Sequence, residues 1–372
     1  MTNPLVSVHM ITFNHASCIA EAIDGVLMQK CGFPFELVIG EDCSSDGTRD
    51  IVLAYEKRYP DIVRVVRSDR NIGGVMNWDR IMHACCGKYI AYCEGDDYWI
   101  DPLKLQKQVE LLEGHAEYGF VFGDVQLLYE ATGVITPHAF RRFRLWEKTP
   151  DDLGLAILLN EYPMVSGVTC TMCVRRDLAL HVIENNPLEF RTNRFLFLDR
   201  TFWLELARLT RFKYVDEEWG TYRIQYESAS KSQSPGKMLR FCTSVKDVNL
   251  HYCHKYAYPP AVHRQLVRDS NQVLLWFSFL AGDFRRARDI LRENREHGIP
   301  RTTRDLCLRI GAECRYLGPV VNSTMCLIRR TLNHGKRWAS TRPWCLRIYR
   351  YCTGKAPILR TRTDPQTANS IP

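Results

Sequence analysis

No apolar run in this sequence approaches the roughly 20 residues that a membrane-spanning helix needs. The longest, VLLWFSFLAG at 273–282, falls well short. No basic segment followed by an apolar stretch opens the chain, so no secretory signal is expected. Two phosphate-binding signatures are also missing. The first strand-like run is followed by TFNHASCIAEA rather than G-x-G-x-x-G, and no P-loop sequence occurs anywhere, which argues against a dinucleotide or P-loop site. Zinc templates are absent too: neither CTMC at 170–173 nor CTSVKDVNLHYCHKY at 242–256 has the spacing of a structural site.

Cysteine itself is plentiful, with 15 in 372 residues. The cysteines are scattered through strand-like and helix-like runs, the pattern of reduced thiols in a cytosolic protein rather than of a disulfide framework. A composition of 45% hydrophobic and 25% charged residues is that of a globular chain with room for one large or two modest cores. Charge is unevenly placed. From Arg301 onward, 14 Lys and Arg face three acids, a net +11, which leaves −3 for the first 300 residues. Such asymmetry points to an anionic partner, nucleic acid or a membrane surface.

Over the first 125 or so residues strands alternate with helices: LVSVHMITF (5–13), ASCIAEAIDGVLMQK (16–30), FELVIG (35–40), SDGTRDIVLAYEKRY (45–59), DIVRVVR (61–67), VMNWDRIMHAC (75–85), KYIAYC (88–93) and DPLKLQKQVELLEG (101–114), with YGFVFGDVQLLY (118–129) completing the series. Ser45 or Asp46 is expected to cap the second helix. Asp101 is expected to cap the fourth, with Pro102 at its first position and Gly114 as its stop. The pattern predicts an α/β fold with a doubly wound, mostly parallel sheet and ligands at the carboxyl ends of its strands.

Those ends carry Thr12-Phe13-Asn14, Glu41-Asp42 and Glu94-Gly95-Asp96-Asp97. Each alone is an ordinary loop acid or cap. Three carboxylates within four positions, however, repel one another and call for a counter-charge. Mg²⁺ or Mn²⁺ arriving with a nucleotide diphosphate supplies one, since hard cations take oxygen ligands and fill their shell from phosphate and water. Arg70, beside NIGG (71–74), is either a diphosphate contact or a solvated surface arginine.

Five motifs occur in order: VSVHMITFN, ELVIGEDCSSDGTRDIV, RNIGGVMN, GKYIAYCEGDDYWIDPLKLQKQV and FLDRTFWLELARL followed by YVDEEWGTYRIQYESAS. Over about residues 4–232 the chain therefore resembles the family 2 glycosyltransferases of the GT-A fold, particularly bacterial enzymes that build surface polysaccharides. The resemblance implies inverting transfer from a nucleotide-diphosphate sugar to an acceptor hydroxyl, assisted by Mg²⁺ or Mn²⁺. It places Thr12 and Asn14 beside the nucleotide and Glu41 and Asp42 at its base or ribose. Glu94, Asp96 and Asp97 fall on the metal motif, with Asp96 and Asp97 as the expected ligands. The family usually opens that motif with Asp, so Glu94 is expected at a ribose hydroxyl or behind a water on the metal. Asp199 matches the general base, its alternative being a helix N-cap. Arg223 and Ser228 match phosphate contacts. Gln225 stands where the family often has a histidine, so a third protein ligand to the metal is in doubt. Trp99 and Trp203 are large enough to stack on a sugar but are expected in the core, as is Tyr222.

The expected organisation is a transferase domain over 1–235, a helical appendage over 236–300, a basic amphipathic region over 301–362 and a disordered end over 363–372. The basic region suits an anionic membrane face, where a lipid-linked or glycan acceptor would be met, so the expected location is cytoplasmic and peripheral at the inner face of the membrane. Two other classes compete. A nucleic-acid binder would leave the acidic crevice unexplained, and an inactive scaffold on the same fold is disfavoured by the intact Asp96-Asp97 pair.

Overall fold

The computed structural model describes residues 3–161, 168–192, 194–196, 198–225 and 232–299. The expected basic region over 301–362, the end over 363–372 and Ser228 lie outside the described residues. The chain divides into two compact units, one of Met1–Ser228 with Arg240–Ser270, the other of Ala229–Leu239 with Asn271–Pro372.

In the first unit the strands are β1 (Val6–Thr12), β2 (Phe35–Glu41), β3 (Val63–Arg67), β4 (Tyr89–Tyr92), β5 (Tyr98–Trp99), β6 (Tyr118–Tyr129), β7 (Val134–Thr136), β8 (Met172–Arg175) and β9 (Arg211–Ile224). They form one sheet in the order β3-β2-β1-β4-β8-β6-β9-β5, with β7 paired to β6. β3, β2, β1 and β4 are parallel neighbours, and β6 pairs parallel with β9. β8 is antiparallel to both β4 and β6, so β6 runs the same way as β4. The sheet is thus mostly parallel, the α/β architecture of GT-A type that the resemblance implies.

The local pattern explains the layers. On β4, Tyr89 and Ala91 enter one apolar cluster while Ile90 and Tyr92 enter the other, because successive side chains point to opposite faces. The first cluster is covered by α1 (Ile19–Leu27), α2 (Thr48–Arg58) and α4 (Lys104–Gly114). The other is covered by α3 (Gly74–Ala84), α5 (Pro150–Leu158), α6 (Arg176–Asn185), α7 (Pro187–Phe190) and α8 (Asp199–Leu209). Strands buried on both faces read as continuous apolar runs, which is how β1 and β4 appear in the sequence. Trp99 and Trp203 both lie in this core, and Tyr222 packs against it.

Two helix starts differ from expectation. α4 begins at Lys104 with Leu103 in the cap position, because Asp101 turns its carboxylate to the Leu103 N–H at 2.8 Å and to Lys107 Nζ at 2.8 Å. α2 begins at Thr48 after Gly47 (φ +100°), and Asp46 spends one oxygen on the Ala16 N–H at 2.9 Å, in the loop after β1.

Three helices complete the description: α9 (Pro235–Lys255), α10 (Pro260–Leu280) and α11 (Phe284–Glu296). In the second unit, the turn before α11 has Gly282 at φ +73° and Asp283 as cap, its side chain accepting the Arg286 N–H at 2.9 Å. No helix among the described residues is long and apolar enough to cross a membrane.

Candidate active site

Sheet register brings the sequence motifs together. Thr12 pairs with Glu41 across β1 and β2, and the Asp42 N–H donates to the Thr12 carbonyl at 3.1 Å. Beyond the strand ends, Asn14 and Cys43 both adopt left-handed backbone, φ +56° and +61°, which turns the two loops toward each other. Asn14 Oδ1 accepts the Ser45 N–H at 2.9 Å, and the Asn14 N–H donates to Ser44 Oγ at 3.0 Å. The acidic pair on β2 is engaged within the protein. Glu41, fully buried, takes Arg49 Nε and the Ser44 N–H, both at 2.6 Å. Asp42 accepts the N–H groups of Ile72 and Gly73 at 2.8 and 2.9 Å, holding the NIGG loop. Arg70 is exposed on that loop.

The acidic motif after β4 lies directly on the end of β1. Gly95 donates its N–H to the Ile11 carbonyl at 3.0 Å. A Cβ at Gly95 would stand 2.8 Å from Thr12 Oγ1 and 2.9 Å from His15 Nδ1, so a side chain there would push the motif off the strand. Glu94 Oε1 accepts the Thr169 hydroxyl, while Glu94 Oε2 is buried with no hydrogen-bond partner among the described residues. Asp97 is buried and accepts the Arg223 backbone N–H at 2.9 Å.

These carboxylates share one poorly solvated region. Burial, followed by the negative charges of Asp96 and Asp199, pushes Glu94 up to about 7. Asp97 is raised well above the carboxylate range by burial, then by Asp96 and Glu94. Asp199 is raised by burial. It is the first residue of α8, whose cap position is Leu198 and whose start has no side-chain capping bond, so Asp199 is not the N-cap. The nearby cation is committed elsewhere: the Arg223 guanidinium pairs with Glu21 and lies 3.6 Å from Glu130, over the Tyr98 ring at 5.0 Å. Gln225 follows β9, half-buried.

Hard carboxylate donors with one orphaned buried oxygen fit a divalent cation of the Mg²⁺ or Mn²⁺ kind. A second cluster was not expected from the sequence. Asp124, His138 and Asp216 hold their ligand atoms within 4.8 Å of one another. Arg141 Nε reaches both oxygens of Asp216 at 3.0 Å, offsetting one of the cluster's two carboxylates, and the Arg141 backbone N–H donates to Asp124 at 3.1 Å. Sequence reasoning also missed Thr169, Arg49, Glu21 and Glu130, each of which touches an expected site residue. Only the GVTCTMC run gave any signal, and it was weighed for metal spacing instead.

A family model described as glycosyl transferase family 2 matches residues 7–178. The uncharacterized protein Rv1520 of Mycobacterium tuberculosis is 42% identical over 125 residues, 34% of this chain and 36% of that protein. In Bacillus subtilis, the putative teichuronic acid biosynthesis glycosyltransferase TuaG is 37% identical over 30% of this chain and 44% of its own, and the putative glycosyltransferase EpsE is 33% identical over 36% and 47%. The chain thus spans 36 to 47% of the length of these curated relatives. Among solved structures, Staphylococcus aureus TarS 1–349 in complex with UDP-GlcNAc is similar at 15% identity, TM-score 0.48, over 79% of this chain and 92% of that one. The mannosyltransferase PcManGT from Pyrobaculum calidifontis, in complex with GDP-Man and Mn²⁺, is similar at 16% identity, TM-score 0.48, over 88% and 85%.

Proposed function

Residues 7–178 of this chain belong to glycosyl transferase family 2, and from that premise we propose that the protein is an inverting glycosyltransferase that takes a nucleotide-diphosphate sugar as donor. The observation that carries the reading is that half-buried Glu94, Asp96 and Asp199 and buried Asp97 stand close enough to act on one another's charge, with Glu94 Oε2 buried and unpartnered among the described residues. A crevice with that much negative charge suits a substrate that brings its own cation.

In this reading Asp199 accepts the proton of the acceptor hydroxyl. The hydroxyl oxygen forms a bond to the anomeric carbon as the bond from that carbon to the diphosphate oxygen breaks on the opposite face. The electron pair leaves with the nucleoside diphosphate, and inversion follows. A raised pKa suits this role, because a base works best when its pKa approaches the working pH. Asp96 and Asp97 would hold Mg²⁺ or Mn²⁺, whose charge offsets that of the leaving diphosphate. Thr12, Asn14, Glu41, Asp42 and Arg70 shape the nucleoside end, some directly and some by fixing loops. Arg223 lines the diphosphate side.

The relative TuaG, named for teichuronic acid biosynthesis, supports a role in cell-surface polysaccharide synthesis. The acceptor is then a glycan or a lipid-linked saccharide at the cytoplasmic face of the membrane, with the basic segment after residue 300 as the docking element. A panel of nucleotide sugars, each with and without Mn²⁺, tests the donor by thermal shift, since a ligand that binds only the folded state raises its melting temperature. At least one is expected to stabilise the protein only when Mn²⁺ is present. A panel without any such shift overturns the reading.

A further inference from the structure

The turn that leads into β8 has no part in the chemistry above, yet it contacts the acidic motif and the residues beside it. Thr169 Oγ1 donates to Glu94 Oε1. The Cys170 carbonyl accepts Trp99 Nε1 at 2.7 Å. The Thr171 carbonyl accepts Gln108 Nε2 at 2.8 Å, and its hydroxyl donates to the Gly123 carbonyl at 3.0 Å. Thr169 is itself buried.

Glu94 has one more rotatable bond than an aspartate, so its carboxylate needs an external anchor to point in one direction. One oxygen has that anchor in Thr169, and the other is buried without a partner among the described residues. We propose that Thr169 is the positioning residue for Glu94: its hydroxyl holds Oε1 so that Oε2 faces the nucleoside-diphosphate donor. The inference rests on the donor class proposed above.

The test is a double-mutant cycle in the full chain. Thr169→Val deletes the hydroxyl at nearly constant volume, Thr169→Ser keeps it, and Glu94→Ala removes the group it holds. Binding of UDP, GDP, dTDP and CDP with Mn²⁺ is measured by calorimetry, with melting temperature read alongside. For whichever diphosphate binds the wild type, Thr169→Val is expected to weaken affinity about tenfold or more, as for loss of a hydrogen bond to a charged group. Thr169→Ser should bind as the wild type does, and Thr169→Val should cost almost nothing further in Glu94→Ala. Equal losses in the Val and Ser variants overturn the proposal. So does undiminished binding by Thr169→Val, or the same loss with and without Glu94. Should the valine variant not fold, Thr169→Ala carries the same cycle. A wild type that binds none of the four refutes the donor class itself, a different outcome from a binding wild type with an indifferent Thr169.

Discussion

The backbone N–H of Arg223 donates to Asp97 Oδ1 at 2.9 Å, joining positions 126 residues apart. Directly beside it, Tyr98 pairs with Thr221 and Trp99 with Gly220, so the acidic motif is stitched to β9 by main chain as well. The last carboxylate of the motif is therefore held by a peptide group, while the arginine side chain is left to Glu21 and Glu130.

That arrangement makes Asp97→Asn a clean probe. The amide oxygen still accepts the Arg223 N–H, so the fold is expected to survive, while one anionic ligand is lost. Asp97→Asn and Asp96→Asn should each abolish the Mn²⁺-dependent stabilisation by donor, measured by thermal shift. Retained Mn²⁺ dependence in both variants would refute the metal assignment.

Asp199→Asn should cut transfer by roughly 10² to 10⁴, the usual worth of a general base. Donor affinity should stay nearly unchanged, because the side chain is assigned to the acceptor. Steady-state kinetics and donor calorimetry on the same sample decide it. Full turnover in this variant places the base elsewhere.

Glu94 supplies a pH dependence. Its folded pKa is raised to about 7 from 4.5 by burial and by neighbouring charge. Without cation, its contribution to stability is therefore present below the unfolded value and lost as pH rises through about 7. A bound cation favours the ionised form, so Mn²⁺ should raise the melting temperature more at about pH 8 than at about pH 5.5. An equal or smaller rise at the higher pH would show that Glu94 does not sense the cation.

His9 gives the opposite slope. It is buried between the rings of Trp78 and Tyr92, at 5.5 and 5.2 Å, with Nε2 3.0 Å from the Trp78 carbonyl. Burial lowers its pKa from 6.5 to about 4. The unfolded chain takes up a proton that the folded one refuses, so stability falls from pH 6.5 toward 4, by up to about 3 kcal/mol. Urea unfolding at stepped pH should show a shallower decline for His9→Phe than for wild type. Identical slopes would rule out this assignment.

The basic segment is expected to act at a surface. With 14 Lys and Arg against three acids from Arg301 onward, and about 1 kcal/mol for each basic residue near an anionic bilayer, the full chain should pellet with anionic vesicles at low salt. It should release as salt rises, because the attraction is screened within a Debye length. A chain ending at Pro300 should remain in the supernatant. Equal sedimentation of the two would assign the segment another role.

The sequence by itself determined where β1 to β4 and β6 lie, because continuous apolar runs, turn residues and helical spacing are local signals, while β5, β7 and β9 went unread. It also determined that acids gather at Glu41-Asp42 and at Glu94 to Asp97, since chain order alone puts both groups at strand ends. Only the tertiary structure decided what those acids do. It placed β8 between β4 and β6, which delivers Thr169 to Glu94. It also committed Glu41 to Arg49, Asp42 to the NIGG loop and the Arg223 guanidinium to Glu21 and Glu130. The physical reason is that a carboxylate's state follows from its burial and its partners. Those partners come from strand order and register, which pair residues far apart in the chain and leave no mark on the sequence around them.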